Sequence, residues 1–267
     1  MGKTSPIGIF DSGVGGLTVV KALLEQMPAE SFIYFGDTAN VPYGNKSREQ
    51  LFNYAHKIIS FLIKKKVKAI IIACGTHSSI TLPELSRHYS LPMLGVVKAG
   101  ARAAVKCSGN GKIGIAATQA TVNSLAYSRE IKNICPGFEV YETACSRFVP
   151  LVESGRLYGE EVNKAVREYI GPLLERGIDT LVLGCTHYPF LVPAIEEFAG
   201  KNIITVDPSC QTIVEIREVF SQKGMLNDDN CRAFHHFYVS GNDDSFYKVG
   251  KNLIGDTLKE VRKVNLD

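Results

Sequence analysis

Apolar residues in this chain gather into short continuous runs instead of alternating with polar ones. Such runs occur at Ile7 to Phe10, Ser31 to Thr38, Ala69 to Ala73, Leu91 to Val97, Lys112 to Thr118, Phe138 to Thr143, Thr180 to Gly184, Asn202 to Asp207 and His235 to Ser240. Runs of β-branched and aliphatic residues bounded by turn residues suit strands buried on both faces of a parallel sheet. Between them the apolar period lengthens to that of a helix. Leu51, Tyr54, Ala55, Ile58, Phe61 and Leu62 share one face of a helix expected over 48–65. Other helices are expected from the Asp11 turn to about Met27, where Pro28 stops the chain, and over 79–89, 99–107, 159–176, 209–223 and 244–261. Alternating strands and helices imply parallel sheets with right-handed crossovers.

The strands also repeat. Measured from Ile7 the next three begin at offsets of about 26, 63 and 84 residues; measured from Ile113, at about 25, 68 and 90, a match within the usual variation of connection lengths. The chain therefore reads as an internal duplication of a four-strand βα unit, too few copies for a solenoid. The expected fold is α/β, two similar parallel-sheet lobes related by a pseudo-two-fold axis with the active site in the cleft between them. The first lobe is assigned to 1–98 plus 208–267, the tail packing back onto it, and the second to 99–207. Within the tail, Gly224 to Asn230 is a breaker. His235 and His236 point to opposite faces of their strand and so cannot jointly ligate a metal there.

Composition narrows the setting. With 267 residues, 45% hydrophobic and 21% charged, the chain can bury one large core or two modest ones. A net charge of +3 is too small to suggest a nucleic-acid or membrane surface, and no apolar run approaches the roughly 20 residues of a membrane span. The N-terminus moves straight into a strand with no signal-peptide pattern. Seven cysteines without CxxC spacing resemble neither a disulfide framework nor a zinc site. Cys107, Cys135, Cys145, Cys210 and Cys231 read as small buried or half-buried residues. A reducing cytoplasm fits.

The two remaining cysteines sit in a repeated setting. Ala69 to Ala73 is followed by Cys74-Gly75-Thr76-His77, and Thr180 to Gly184 by Cys185-Thr186-His187-Tyr188-Pro189. Parallel sheets bind ligands beyond the carboxyl ends of their strands, so facing lobes would put a thiol on each wall of one cleft. Inversion of a carbon acid needs a proton removed from one face and delivered to the other, which two equivalent acid/base groups accomplish. A helix N-terminus at each cysteine is expected to lower the thiol pKa. Asp11 and His187 are within reach as helpers. His77 reads as a helix-start residue facing solvent. The turn Asp11-Ser12-Gly13-Val14-Gly15-Gly16 is neither GxGxxG nor a P-loop; its glycines and following helix suit a small carboxylate. A cysteine hydrolase would leave the second thiol unexplained, and a two-lobed binding module would leave both.

Several stretches are similar to the glutamate racemases of the aspartate/glutamate racemase family. They are Ile9 to Val19, Gly36-Asp37-Thr38 with Val41-Pro42-Tyr43-Gly44, Val149 to Gly155, Leu183 to Pro189 and Phe237 to Gly241, so the likeness spans nearly the whole chain. The resemblance implies interconversion of L- and D-glutamate supplying D-glutamate for peptidoglycan. It implies no pyridoxal phosphate or other cofactor, no metal, and a homodimer. It implies that Cys74 and Cys185 are the acid/base thiols, Asp11 assisting the first and His187 with Glu153 the second. Asp11, Ser12, Thr76, Thr186, Cys185 and His187 would hold the amino-acid end of glutamate, Pro42, Tyr43 and Gly44 its side chain, with Thr118 and Thr121 lining the site. One motif departs: Asn normally follows the first cysteine and contacts substrate, whereas here it is Gly75, in Cys-Gly-Thr-His in place of Cys-Asn-Thr-Ala. A missing hydrogen bond to a charged group costs about 1.5–3 kcal/mol, so Gly75 is expected to weaken or redirect substrate binding, and Gly75→Asn to raise glutamate turnover. Gly95 to Gly100 also departs, with Lys98 and Ala99 where the family has an acidic or amide residue and Pro.

Overall fold

The computed structural model describes residues 2–227 and 233–266; the end of the expected breaker, 228–230, and Cys231 lie outside the described residues. The first half runs β1 (Ile7–Asp11), α1 (Leu17–Gln26), β2 (Phe32–Gly36), α2 (Arg48–Lys64), β3 (Ala69–Ile72), α3 (Gly75–Ile80), α4 (Leu82–His88), β4 (Met93–Gly95) and α5 (Val96–Cys107). The second runs β5 (Lys112–Ala117), α6 (Gln119–Ser124), α7 (Ala126–Ile134), β6 (Glu139–Ala144), α8 (Phe148–Glu153), α9 (Glu160–Leu174), β7 (Thr180–Leu183), α10 (Val192–Ala199) and β8 (Ile204–Val206). The chain closes with α11 (Pro208–Gln222), β9 (His235–Val239), α12 (Asp243–Ile254) and β10 (Val261–Lys263).

Two all-parallel sheets result, ordered β10-β9-β2-β1-β3-β4 and β6-β5-β7-β8. The repeat inferred from the sequence is visible in these orders, since β2-β1-β3-β4 and β6-β5-β7-β8 follow the same path. Ile7 pairs with Phe32 and Ala69, and Ile113 with Val140 and Thr180. The central strands β1, β3, β5 and β7 are buried on both faces apart from Lys112 at an end, as continuous apolar runs require. In the tail, β9 adds to β2 and β10 to β9.

The boundaries differ from expectation where a local device sets them. The helix after β3 starts at Gly75, four residues earlier than its apolar period suggests, because Cys74 takes the extended N-cap conformation. It then breaks at Thr81, and α4 restarts with Pro83 in its first turn, where a missing N–H costs nothing. The expected strand to Val97 ends at Gly95, and α5 begins at once. The last helix stops at Ile254 because Gly255 adopts φ 54°, a backbone conformation that favours glycine and cannot continue the helix, and 261–263 become an edge strand instead of a helix end. Helices α6, α7, α8 and α10 are short and had no long periodic signal in the sequence.

Candidate active site

Cys74 follows β3 and Cys185 follows β7, so each sits just past the carboxyl end of a central strand. Both line one cavity of about 140 Å³, together with Ser12, Pro42, Tyr43, Gly44, Thr76, Thr118 and His187. Asp11, Gly75, Thr121, Thr186 and Glu153 do not form its surface; they stand behind or beside residues that do.

The Cys74 wall is built from backbone. Cys74 caps α3, and the N–H groups of His77 and Thr76 act on its sulfur. Burial nevertheless dominates and pushes the thiol pKa up, with the charges of Asp11 and Cys185 adding to the rise. The expectation of a lowered pKa fails here, because desolvation, with the charge of Asp11, outweighs two backbone donors. Cys74 is thus held as a protonated thiol.

The Cys185 wall is built from side chains. After Cys185 the chain forms a tight 3-10 turn, Tyr188–Leu191, with Pro189 in its first turn. Tyr188 anchors that turn by packing edge-on to Phe148 at 5.0 Å and donating to the Cys145 carbonyl at 3.0 Å. This leaves His187 free to face back, with Nδ1 3.8 Å from Cys185 Sγ and Nε2 2.6 Å from Glu153 Oε1. Burial alone would lower the His187 pKa, but hydrogen bonds and charge from Cys185 and Glu153 carry it well above its ordinary value. The result is an imidazolium held between a sulfur and a carboxylate.

The glycine turn after β1 folds around the side chain of Asp11. Two of its N–H groups are taken: Asp11 Oδ2 accepts from Gly13 at 3.2 Å and Gly16 at 2.9 Å. The chain's own carboxylate thus occupies part of this turn, while Ser12 faces the cavity. Asp11 also accepts from the Thr186 hydroxyl of the other sheet's wall at 3.2 Å. Burial raises the Asp11 pKa, against the lowering influence of His187 and these donors. Gly15 is required by close approach, since an added Cβ would lie 2.5 Å from Thr186 Oγ1 and 2.7 Å from His187 Nδ1. The turn is the seat on which the Cys185 wall rests.

The far side of the cavity is a hydroxyl chain. Thr76 Oγ1 lies 3.0 Å from Thr118 Oγ1, which donates to Thr121 Oγ1 at 3.0 Å. Tyr43 donates a very short hydrogen bond to Asp37. His77, expected to face solvent, is instead completely buried beneath Tyr43, their rings 4.7 Å apart and perpendicular. Burial drives its pKa down to about 3, so the ring is neutral. Gly75 presses on the opposite lobe: a Cβ there would fall well inside 3.0 Å of the Gly184 carbonyl oxygen. Gly75→Asn therefore cannot simply restore a side-chain contact, since the backbone of Gly184 occupies that space.

Sequence reasoning passed over several lining residues, notably Asn45, Gln119, Ser146, Val149 and Tyr188, and read Cys145 as merely structural although it reaches the same cavity. Cys145 follows β6 directly, and Asp37, behind the lining residue Tyr43, follows β2. Applying the strand-end rule to the outer strands as well as the central ones would have found both.

Comparison with known proteins finds relatives along the whole chain. The family model for Asp/Glu/hydantoin racemases matches residues 7–209. Over the full chain the protein is 45% identical to a glutamate racemase of Neisseria meningitidis serogroup A, covering 98% of that relative. Its fold matches the crystal structure of a glutamate racemase isoform from Bacillus anthracis with TM-score 0.95 and 35% identity, covering 99% of this chain and 98% of that one. It matches a glutamate racemase from Francisella tularensis, solved in complex with D-glutamate, with TM-score 0.92 and 36% identity over 99% of each chain.

Proposed function

The chain belongs to the Asp/Glu/hydantoin racemase family, and on that premise we propose that it interconverts L- and D-glutamate by two-base proton transfer at Cα. The observation that carries this reading is the shared cavity, lined by one thiol from each strand-end turn of a duplicated fold. Substrate lies with Cα between the sulfurs. The Cys185 thiolate, stabilised by the His187 imidazolium that Glu153 holds, removes the Cα proton of one enantiomer. The Cys74 thiol, kept protonated by burial and Asp11, delivers its proton to the opposite face. The reverse reaction exchanges these roles, with Asp11 disfavouring a lasting Cys74 thiolate.

Asp11, Ser12, Thr76, Thr186, Cys185 and His187 hold the amino and α-carboxylate groups in this reading. Pro42, Tyr43 and Gly44 take the side chain, with Thr118 and Thr121 beside it and the Gly75 backbone at the amino-acid end. The proposal divides the chain into lobes 1–98 plus 208–267 and 99–207. It places the protein in the cytoplasm as a cofactor-independent homodimer that supplies D-glutamate for peptidoglycan, without nucleic-acid or membrane partners. No helix among the described residues is long and apolar enough to cross a membrane.

Incubation of each enantiomer of glutamate in D₂O tests the reaction. Deuterium should enter Cα as each converts to the other. A hydrolase would instead release a new acid or amine with Cα–H intact, and absence of exchange with glutamate would falsify the reading.

A further inference from the structure

Helix α3 carries two residues whose sizes are opposite to what an ordinary cleft helix would show. Positions 75 and 77 are about 200° apart around a helix of 3.6 residues per turn, so they face opposite sides. Gly75 faces the second lobe, where Gly184 leaves no space for a Cβ. His77 faces the interior of the first lobe, fully buried between the rings of Phe10 at 5.4 Å and Tyr43 at 4.7 Å. Thr76, between them, meets Thr118 of the second lobe.

His77 is not placed there for its hydrogen bonds. The Thr81 hydroxyl donates to the His77 carbonyl at 3.0 Å, so it can only accept from Nδ1, also at 3.0 Å. Nδ1 therefore holds the proton, and Nε2 is a bare acceptor with no partner among the described residues. A buried acceptor without a donor is destabilising. What the ring supplies is bulk behind the helix.

We propose that His77 and Gly75 act as one positioning device, which rests on the racemase reading above. The His77 ring fills the space between α3 and the first sheet and holds the cleft edge of the helix against Gly184. Position 75 is then restricted to glycine, and the width of the cleft between Cys74 and Cys185 is set by backbone contact. A large residue behind the helix and none in front are two halves of one fit.

A double-mutant cycle tests the coupling, with kcat/KM for glutamate racemisation and thermal midpoint read on each variant. Gly75→Ala should lower kcat/KM by about 30-fold, while His77→Ala lowers it by no more than about 5-fold. The double variant should return to within about 3-fold of His77→Ala alone, because α3 can then settle back from Gly184. His77→Phe keeps the bulk and should leave Gly75→Ala unrescued. If His77→Ala does not melt cooperatively, His77→Val takes its place in the same cycle. Additive losses in folded variants, or rescue by His77→Phe, would overturn the device. Should the wild-type protein itself show no racemisation, the activity reading fails instead, and the same cycle read in thermal midpoints still decides whether the two positions are coupled.

Discussion

The two cysteine turns descend from the same local pattern, yet they manage a proton by different means. Beyond Cys74 the chain enters an α-helix, so the sulfur meets backbone N–H groups and, across the turn, the buried carboxylate of Asp11. Beyond Cys185 it enters a 3-10 turn, so a side chain, His187, faces the sulfur and is itself held by Glu153. Backbone dipoles cannot take up a proton, whereas an imidazole can. One wall therefore keeps its thiol protonated and the other keeps a cation beside its sulfur. A symmetric fold thus places unlike groups beside its two sulfurs, an asymmetry that the proposed two-base reaction can use.

The largest effect tests whether both walls are needed. Cys74→Ala and Cys185→Ala should each lower racemisation by about 10³-fold or more, since on the proposed mechanism each removes one of the two acid/base groups. Optical rotation of either glutamate enantiomer over time reads this directly, and near wild-type turnover in either variant would remove the two-thiol assignment. Next comes His187→Gln, expected to cost about 10²-fold in kcat/KM. L- and D-glutamate have equal free energies, so the loss in kcat/KM must be the same in both directions, and any asymmetry appears in kcat and KM together by the same factor. His187 also links to stability. Its folded pKa is raised above its ordinary value of 6.5, so its contribution is fully present below that value and is lost as pH rises through the folded one. The melting difference between wild type and His187→Gln should accordingly shrink as pH rises above 6.5.

Asp11 loses stability with rising pH in the same sense, but here it is the charged form that costs. Its folded pKa is raised, chiefly by burial, so the charged form costs stability once pH exceeds the unfolded value of 3.8. Asp11→Asn keeps an acceptor for Gly13 and Gly16 while removing that charge. It should lower kcat/KM by about 30-fold and leave the melting temperature at pH 7 unchanged or raised. A marked fall in melting temperature would mean that Asp11 serves the fold more than the Cys74 thiol.

Much of this was legible in the chain. The continuous apolar runs located the strands, and their spacing exposed the duplication, because burial on both faces leaves a signal that no polar residue interrupts. The two cysteines stood out for the same reason. What escaped was decided by contact between lobes. Nothing local to Gly15 or Gly75 says that the second lobe lies against it, and nothing in Cys-Gly-Thr-His says that the histidine turns inward beneath Tyr43. The pKa of Cys74 escaped on the same ground: the helix N-terminus is visible in sequence, but burial and the approach of Asp11 are not.

Glu153 gives the smallest effect and the finest test of the contrast between walls. It stands outside the cavity surface and acts only through His187, at 2.6 Å. Its carboxylate is one of the groups that lift the His187 pKa against burial. Glu153→Gln keeps the shape and a hydrogen-bonding group but removes the charge, so the imidazole should lose its proton at lower pH. The imidazolium-bearing form of the enzyme would then persist over a narrower range. The expected result is a fall of about 10-fold in kcat/KM near neutral pH, with the alkaline limb of the pH profile displaced toward acid and activity recovering as pH is lowered. Were Glu153 only a packing residue, the profile would keep its shape and scale down uniformly. Displacement of the limb in Glu153→Gln, with none in a variant of the Cys74 wall such as Thr76→Val, would show that side-chain proton management belongs to the Cys185 wall alone.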